Sequence, residues 1–337
     1  MSIKIAINGF GRIGRPTFRR ILEKHPDLEI KAINDLTDTK TLAHLLKYDS
    51  VYGNYDKSIE HKQEAIVVDN KEFKILSEKE PGKLPWKDLG VDIVLECTGR
   101  FTDIEAAKQH IQAGAKKVII SAPCKSEGVA HFVLGVNQEK YQPVKDNVIS
   151  MGSCTTNCLA PIAKVIDDGF EIESGLMTTI HSYTNDQRLL DSPHKDLRRA
   201  RSATLSMVPT TTGAAIAVTK TIPKLEGKIH GIAVRVPTPV VSLVDFVAKV
   251  KKEVTVEEVN QVFKKASSSE KLKGILGIEE TPLVSVDFKS NPLSAIIDTS
   301  STMVQQKNLV KILAWYDNEW GYACRLAEFA EFIGSKL

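Results

Sequence analysis

The sequence predicts an α/β protein of two domains, the first built on a parallel β-sheet and the second of α+β type. Three observations carry that expectation. The chain has 337 residues, enough for two domains at roughly 100–200 residues each. Its first third alternates apolar strand runs with helical periodicity, the pattern of βαβ units. Its second half is dominated instead by long strand-like runs.

In the first part, Ile3–Ile7 (IKIAI) reads as a strand. A helix is expected from about Arg12 to Lys24, with Pro16 in its first turn, where a missing N–H is tolerated. Glu29–Asn34 (EIKAIN) reads as the second strand. Further strands are expected around Val67, Val94, Ile119 and Val133, and a helix over Asp103–Ala113 that Gly114 ends. In the second part, GLMTTIHSYT, KIHGIAVRV, VVSLVDFVAKV and NLVKILAWYD read as strands. The alternation in VSLVDFVAKV suits a sheet covered on one face. Thr255-Val256-Glu257-Glu258 fits a capping box, and Val256, Val259, Val262, Phe263 and Ala266 then share one helix face. An amphipathic helix over about Gly321–Ile333 closes the chain. No repeat, low-complexity tract or Gly/Ser linker separates the two parts.

Composition narrows the function. Lys+Arg number 45 and Asp+Glu 42, a net charge of +3, which is too balanced to point to nucleic acid or an anionic membrane as primary partner. No apolar run approaches the ~20 residues of a membrane span. The opening MSIKIAINGF is strand-like and lacks the segments of a secretory signal, so a cytoplasmic protein is expected. The five cysteines (Cys97, Cys124, Cys154, Cys158, Cys324) form neither a disulfide framework nor a paired metal site. Reduced thiols, mostly buried, are the expectation.

Gly9-Phe10-Gly11-Arg12-Ile13-Gly14 spells GxGxxG directly after a strand and at the start of a helix. Asp35 stands 21 residues beyond Gly14, at the end of the next strand. That context makes the first domain Rossmann-type. The glycines permit a tight turn and close approach of a pyrophosphate, which the positive end of the helix then favours. Asp35 would accept hydrogen bonds from ribose hydroxyls and repel a 2′-phosphate, so NAD is expected rather than NADP.

In SCTTNCLAP, Cys154 opens a helix-compatible stretch, with Pro161 expected to bend it. A thiol at a helix N-terminus sits in positive potential, which favours thiolate. Cys158, one turn deeper, is expected to be buried. His181 follows 27 residues after Cys154 on the strand GLMTTIHSYT. A cysteine with a nearby imidazole is the requirement for covalent catalysis at neutral pH.

SCTTNCLAP, HSYTNDQ, DLRRAR, PTTTGAA, RVPTP and WYDNEWGY, together with INGFGRIGR, resemble the glyceraldehyde-3-phosphate dehydrogenase family, in order and over essentially the whole chain. The resemblance implies a Rossmann domain over 1–153, completed by a C-terminal helix over 319–337, and a catalytic domain over 154–318. It implies that Cys154 attacks the aldehyde of glyceraldehyde 3-phosphate, with His181 as base, and that inorganic phosphate resolves the thioester to 1,3-bisphosphoglycerate. It implies a substrate-phosphate site of Thr184 and Arg235, and an inorganic-phosphate site of Ser153, Thr155, Thr212 and Gly213. Arg199 joins them, with Arg198 and Arg201 flanking it as alternatives. Cofactor contacts implied are Gly9, Gly11, Arg12, Ile13, Asp35, Lys79, Ser121 and Asn318, the last holding the nicotinamide carboxamide, with Tyr322 beside the ring. A homotetramer is implied too.

The sequence departs from the family pattern in places. Met151-Gly152 stand where Asn-Ala is frequent, Lys79 where arginine is frequent, and Ser192 where a leucine accompanies NAD specificity. An erythrose-4-phosphate dehydrogenase, or an NADP-using biosynthetic member, is the alternative activity within the family.

Overall fold

The computed structural model describes residues 2–124 and 126–337. The chain forms two compact units, one of residues 1–132, 140–152 and 323–337, the other of residues 133–139 and 153–322.

The first unit is built on a nine-stranded sheet. At its centre Ile3–Asn8 lies between Leu28–Asn34 and Ile93–Glu96, and both pairings are parallel. Beyond Ile93–Glu96 come Lys117–Ile120, Val148–Ser150 and Ala130–His131, again parallel. These strands are buried on both faces, with Ile5, Ile7, Val94, Ile119 and Ile120 wholly enclosed, as apolar runs in a parallel sheet must be. Strand order reverses at Ile3–Asn8, so the crevice beyond its carboxyl end is where such sheets take ligands. On the far side, Lys71–Leu76, Ala65–Val68 and Ile59–Lys62 continue the sheet. The hairpin joining Ala65–Val68 to Lys71–Leu76 turns on Asp69 and Asn70, both left-handed at φ 45° and 65°, the backbone of a two-residue type I′ loop.

The flanking helices begin where the chemistry of their caps dictates. Asp103 accepts from Ala106 N (2.9 Å) and starts Ile104–Gln112. Asp38 accepts from Thr41 N (2.9 Å) and starts Thr39–Lys47. The first helix spans Gly14–Lys24, two residues later than its expected start. The strand expected around Val133 ends at His131, and Val133–Val136 turn away instead. Within this unit the C-terminal segment packs by Phe329 against Phe132 (5.9 Å), and Glu331 Oε2 meets His25 Nδ1 (3.0 Å).

The second unit is a mixed seven-stranded sheet in the order Val208–Thr211, Ile229–Val236, Ile172–Ser182, Ser242–Val250, Leu309–Tyr316, Ala295–Gln305, Leu276–Glu279. Ile172–Ser182 runs parallel to Ile229–Val236 and antiparallel to Ser242–Val250. In Ser242–Val250 enclosed and part-exposed residues alternate, so one face is covered and one is open. The helices Cys154–Phe170 and Val256–Ser267 pack on the covered face. Pro161 lies inside the first of these, which runs on without a break to Phe170. Thr255 makes the expected capping box with Glu258, and Val259 and Phe263 are fully enclosed. Among the described residues, no helix is long and apolar enough to cross a membrane.

Candidate active site

In the first unit the glycine-rich turn follows directly from the central strand. Gly9 has φ 95°, and a Cβ there would lie 2.7 Å from Thr98 N. A Cβ on Gly14 would lie 2.1 Å from Gly9 O, so this glycine lets the helix close on the strand. Gly11 differs, since a Cβ there would meet no described atom within 4 Å. That open side is the approach a phosphate needs. Ile13 caps the helix without a side-chain hydrogen bond, so no side chain competes for its N-terminus.

Asp35 sits beside the turn. Its Oδ2 accepts from Phe10 N (2.8 Å) and its Oδ1 from Thr37 N (3.0 Å). A cleft of about 520 Å³ lies next to it, lined by Leu36, Thr37, Asp38, Lys74, Leu76 and Ser77 among others. The Asp35 carboxylate itself, just past the end of Leu28–Asn34, suits ribose hydroxyls. Arg12 is held by Asp49 (2.6 Å) and lies over the Tyr52 ring. Ser121 follows Lys117–Ile120, its N–H donating to Glu96 O (3.0 Å). Lys79 is exposed on a turn. The turn, Asp35 and Ser121 thus all lie at carboxyl ends of parallel strands, and they fit a dinucleotide.

In the second unit the thiol is presented by a helix start. Ser153 is the cap, its Oγ accepting from Thr156 N (3.0 Å) while Thr156 Oγ1 accepts from Ser153 N (3.2 Å). Cys154 is therefore the first helical residue, and it retains some solvent exposure, whereas Cys158 has none. Cys154 Sγ stands 3.4 Å from His181 Nε2.

Strand register sets the rest. His181 pairs opposite Arg235 on Ile229–Val236. The imidazole Nδ1 is 2.7 Å from Ser182 O, and Arg235 Nη1 is 2.8 Å from Nδ1 and 3.0 Å from Ser182 O. Nδ1 thus faces an acceptor, Ser182 O, and a donor, Arg235 Nη1; a proton on Nδ1 directed at Ser182 O, with Arg235 donating to that same carbonyl, would leave the Nε2 lone pair facing the sulfur. Burial, and next the Arg235 cation, lower the His181 pKa from 6.5 to about 3. Burial also pushes the Cys154 thiol up, against the opposing pull of Arg235 and the Thr155 N–H. Burial thus pushes the thiol up and the imidazole down, opposing the thiolate that a helix N-terminus favours. Burial outweighs the local positive potential.

The anion-binding candidates lie around this pair in unequal states. Arg235 is half-buried, and its enclosed Nε has no partner among the described residues. Arg199 donates from Nε to Thr210 Oγ1 (2.9 Å), from Nη2 to Thr211 O (3.1 Å), and from Nη1 to Asp186. Of the three neighbouring arginines it is the one whose charge is felt at both His181 and Arg235. Arg198 reaches Pro209 O and Arg201 pairs with Asp191. Thr212 and Gly213 form the start of the Ala214–Thr221 helix, with Thr212 Oγ1 accepting from Ala214 N (3.2 Å). Thr184 is half-buried, and its carbonyl accepts from Gln187 N. Thr155 differs from expectation in its surroundings. Its hydroxyl is enclosed and shares a hydrogen bond with Tyr316 Oη (2.9 Å), which also meets Thr179 Oγ1 (2.9 Å). Asn318 is enclosed and its Oδ1 accepts from Ser242 Oγ (2.9 Å); Tyr322 is enclosed as well.

Sequence reading missed Asp186, Ser182, Ser242 and Tyr316. For Ser182, Ser242 and Tyr316 the available signal was a polar residue enclosed on a strand; Asp186 is exposed on a turn and gave no such signal.

Residues 3–104 match the family model described as the NAD binding domain of glyceraldehyde 3-phosphate dehydrogenase, and residues 153–318 match the model of its C-terminal domain. With a parallel-sheet dinucleotide domain and a thiol–imidazole pair, the chain is an NAD-dependent oxidoreductase. It belongs to the glyceraldehyde-3-phosphate dehydrogenase family. It is 57% identical over 336 residues to glyceraldehyde-3-phosphate dehydrogenase of Geobacillus stearothermophilus, an alignment covering 100% of this chain and 99% of that relative. It is 55% identical over 337 residues to the Streptomyces coelicolor protein of that name, covering 100% of both. It is 53% identical over 335 residues to that of Borreliella burgdorferi, covering 98% of this chain and 99% of the relative.

Proposed function

We propose that the chain oxidises glyceraldehyde 3-phosphate to 1,3-bisphosphoglycerate, consuming inorganic phosphate and reducing NAD. The observation that carries this reading is the Cys154 sulfur 3.4 Å from His181 Nε2, with the Arg235 guanidinium at the other side of the ring. His181 Nε2 takes the thiol proton as the sulfur attacks the aldehyde carbon, giving a thiohemiacetal. Arg235 stabilises negative charge on the sulfur and, with Thr184, holds the substrate phosphate. The Cys154 N–H and the protonated imidazole stabilise the oxyanion. His181 returns its proton to that oxygen, giving the thiohemiacetal hydroxyl, and accepts it again as the carbon is oxidised. NAD supplies the hydride acceptor when bound. The product at Cys154 is a thioester, which conserves the oxidation energy. Phosphate held by Arg199, Ser153, Thr212 and Gly213 attacks it and releases the acyl phosphate. Thr155 contributes by its backbone and by its bond to Tyr316, which packs edge-on to His181.

On the cofactor side, Gly9, Gly11, Arg12 and Ile13 receive the pyrophosphate, Asp35 the ribose, and Lys79 and Ser121 its surroundings. Asn318 holds the nicotinamide carboxamide. The unit carrying Gly9 and Asp35 is the cofactor domain and the unit carrying Cys154 the catalytic one, with the C-terminal helix serving the former.

The chain works as a homotetramer in the cytoplasm. Supporting assembly, the open face of the second sheet exposes Leu176, Ile232 and Met303, and the segment after it exposes Leu189, Leu190, Leu197, Leu205 and Met207. Supporting a reducing compartment, all five cysteines are free thiols.

Steady-state kinetics test the reading. NADH formation from glyceraldehyde 3-phosphate should require inorganic phosphate, with kcat/KM highest for this aldehyde and for NAD. A higher kcat/KM for erythrose 4-phosphate or for NADP would assign the alternative activity.

A further inference from the structure

Ser182 has every polar backbone and side-chain group committed. Its C=O receives His181 Nδ1 and Arg235 Nη1. Its hydroxyl donates to Val241 O (2.7 Å) and its N–H donates to Ser242 Oγ (3.1 Å). Val241 is fully enclosed and left-handed at φ 68°, a conformation that β-branched residues rarely adopt. Such strain persists only where the surroundings over-determine it. Its result is to turn the next residue, Ser242, toward both Ser182 and Asn318. Ser242 is itself enclosed, and its hydroxyl proton goes to Asn318 Oδ1 (2.9 Å).

We propose that Ser242 is a positioning residue that fixes which end of the Asn318 amide is offered to the cofactor. A hydroxyl has one proton to give. With Ser182 N–H directed at its oxygen, Ser242 spends that proton on Asn318 Oδ1, and Asn318 is left with its NH₂ as the free end. The opposite flip would set the Asn318 NH₂ against Ser242 Oγ. The enclosed Ser242 O–H would then have no acceptor among the described residues. Asn318 is therefore a fixed donor, matched to the carbonyl oxygen of a carboxamide and not to its NH₂. Because Ser182 also carries the His181 Nδ1 contact, one short chain of bonds sets both the amide and the base. This inference rests on the reading of Asn318 as the carboxamide contact.

Calorimetry on the full-length enzyme separates the possibilities, using NAD and ADP-ribose, which lacks the nicotinamide. Ser242→Ala should weaken NAD about tenfold and leave ADP-ribose unchanged. Equal weakening of both ligands means a merely structural role, and no weakening of either means no role; each overturns the proposal. Asn318→Ala reads the underlying assignment separately. If it leaves NAD affinity intact, Asn318 is not the carboxamide contact and the proposal falls with it. If it weakens NAD while Ser242→Ala does not, the proposal alone fails.

Discussion

At the scale of residues, the chemistry turns on the protonation of two side chains. With His181 held near pKa 3 by burial and by Arg235, the imidazole is a neutral base throughout the physiological range. Removing it by His181→Asn should slow acylation by roughly 10²–10⁴-fold. The same change should slow iodoacetamide labelling of Cys154 at pH 6 to 8; labelling as fast as in the parent would show that the imidazole does not assist the thiol. The depressed pKa also has a sign for stability. The unfolded chain binds a proton at His181 below about pH 6.5, and the folded chain only near pH 3. This contribution to stability is complete above pH 6.5 and is lost as pH falls from 6.5 toward 3. Urea unfolding across that window should lose stability more steeply in the parent than in His181→Asn. Cys154 and His181 were legible in the sequence because each lies in a long motif. Ser182, Ser242 and Asp186 were not, because their roles arise from strand register and from contacts between residues up to 76 apart in sequence.

At the scale of elements, the turn and helix starts position the site. The glycine pattern was legible as a phosphate cradle, yet only the geometry separates its members. Gly11→Ala adds a methyl into open space, so the thermal midpoint should be unchanged while NAD binding weakens tenfold or more, as read by calorimetry. Gly9→Ala forces a strained φ and a contact with Thr98 N, so the same scan should show a lowered midpoint as well. Equal midpoints for both variants would contradict the packing argument. The box at Ser153 escaped sequence reading because Thr156, not Glu or Gln, closes it. The Ala295–Gln305 strand escaped because its centre, DTSST, is polar where a core strand is expected to be apolar. The run HFVLG looked like a strand, but Gly135 is left-handed at φ 81° and the segment turns.

At the scale of the molecule, βαβ alternation made the parallel sheet legible, and the change to long strand runs marked the second unit. The strand order was not legible, since it depends on which edges pair over long separations. The open apolar face of the second sheet predicts assembly. Sedimentation should give a tetramer, and Leu176→Asp should shift it to smaller species; a monomeric parent would contradict the tetramer. Catalysis depends above all on a thioester built on Cys154 with His181 as its base. Rapid mixing of enzyme, NAD and glyceraldehyde 3-phosphate without inorganic phosphate tests it most directly. The expected result is a burst of NADH equal to the enzyme chains present, an acyl adduct found by mass spectrometry on Cys154, and its release when phosphate is added. An adduct on another residue, or sustained turnover without phosphate, would contradict it.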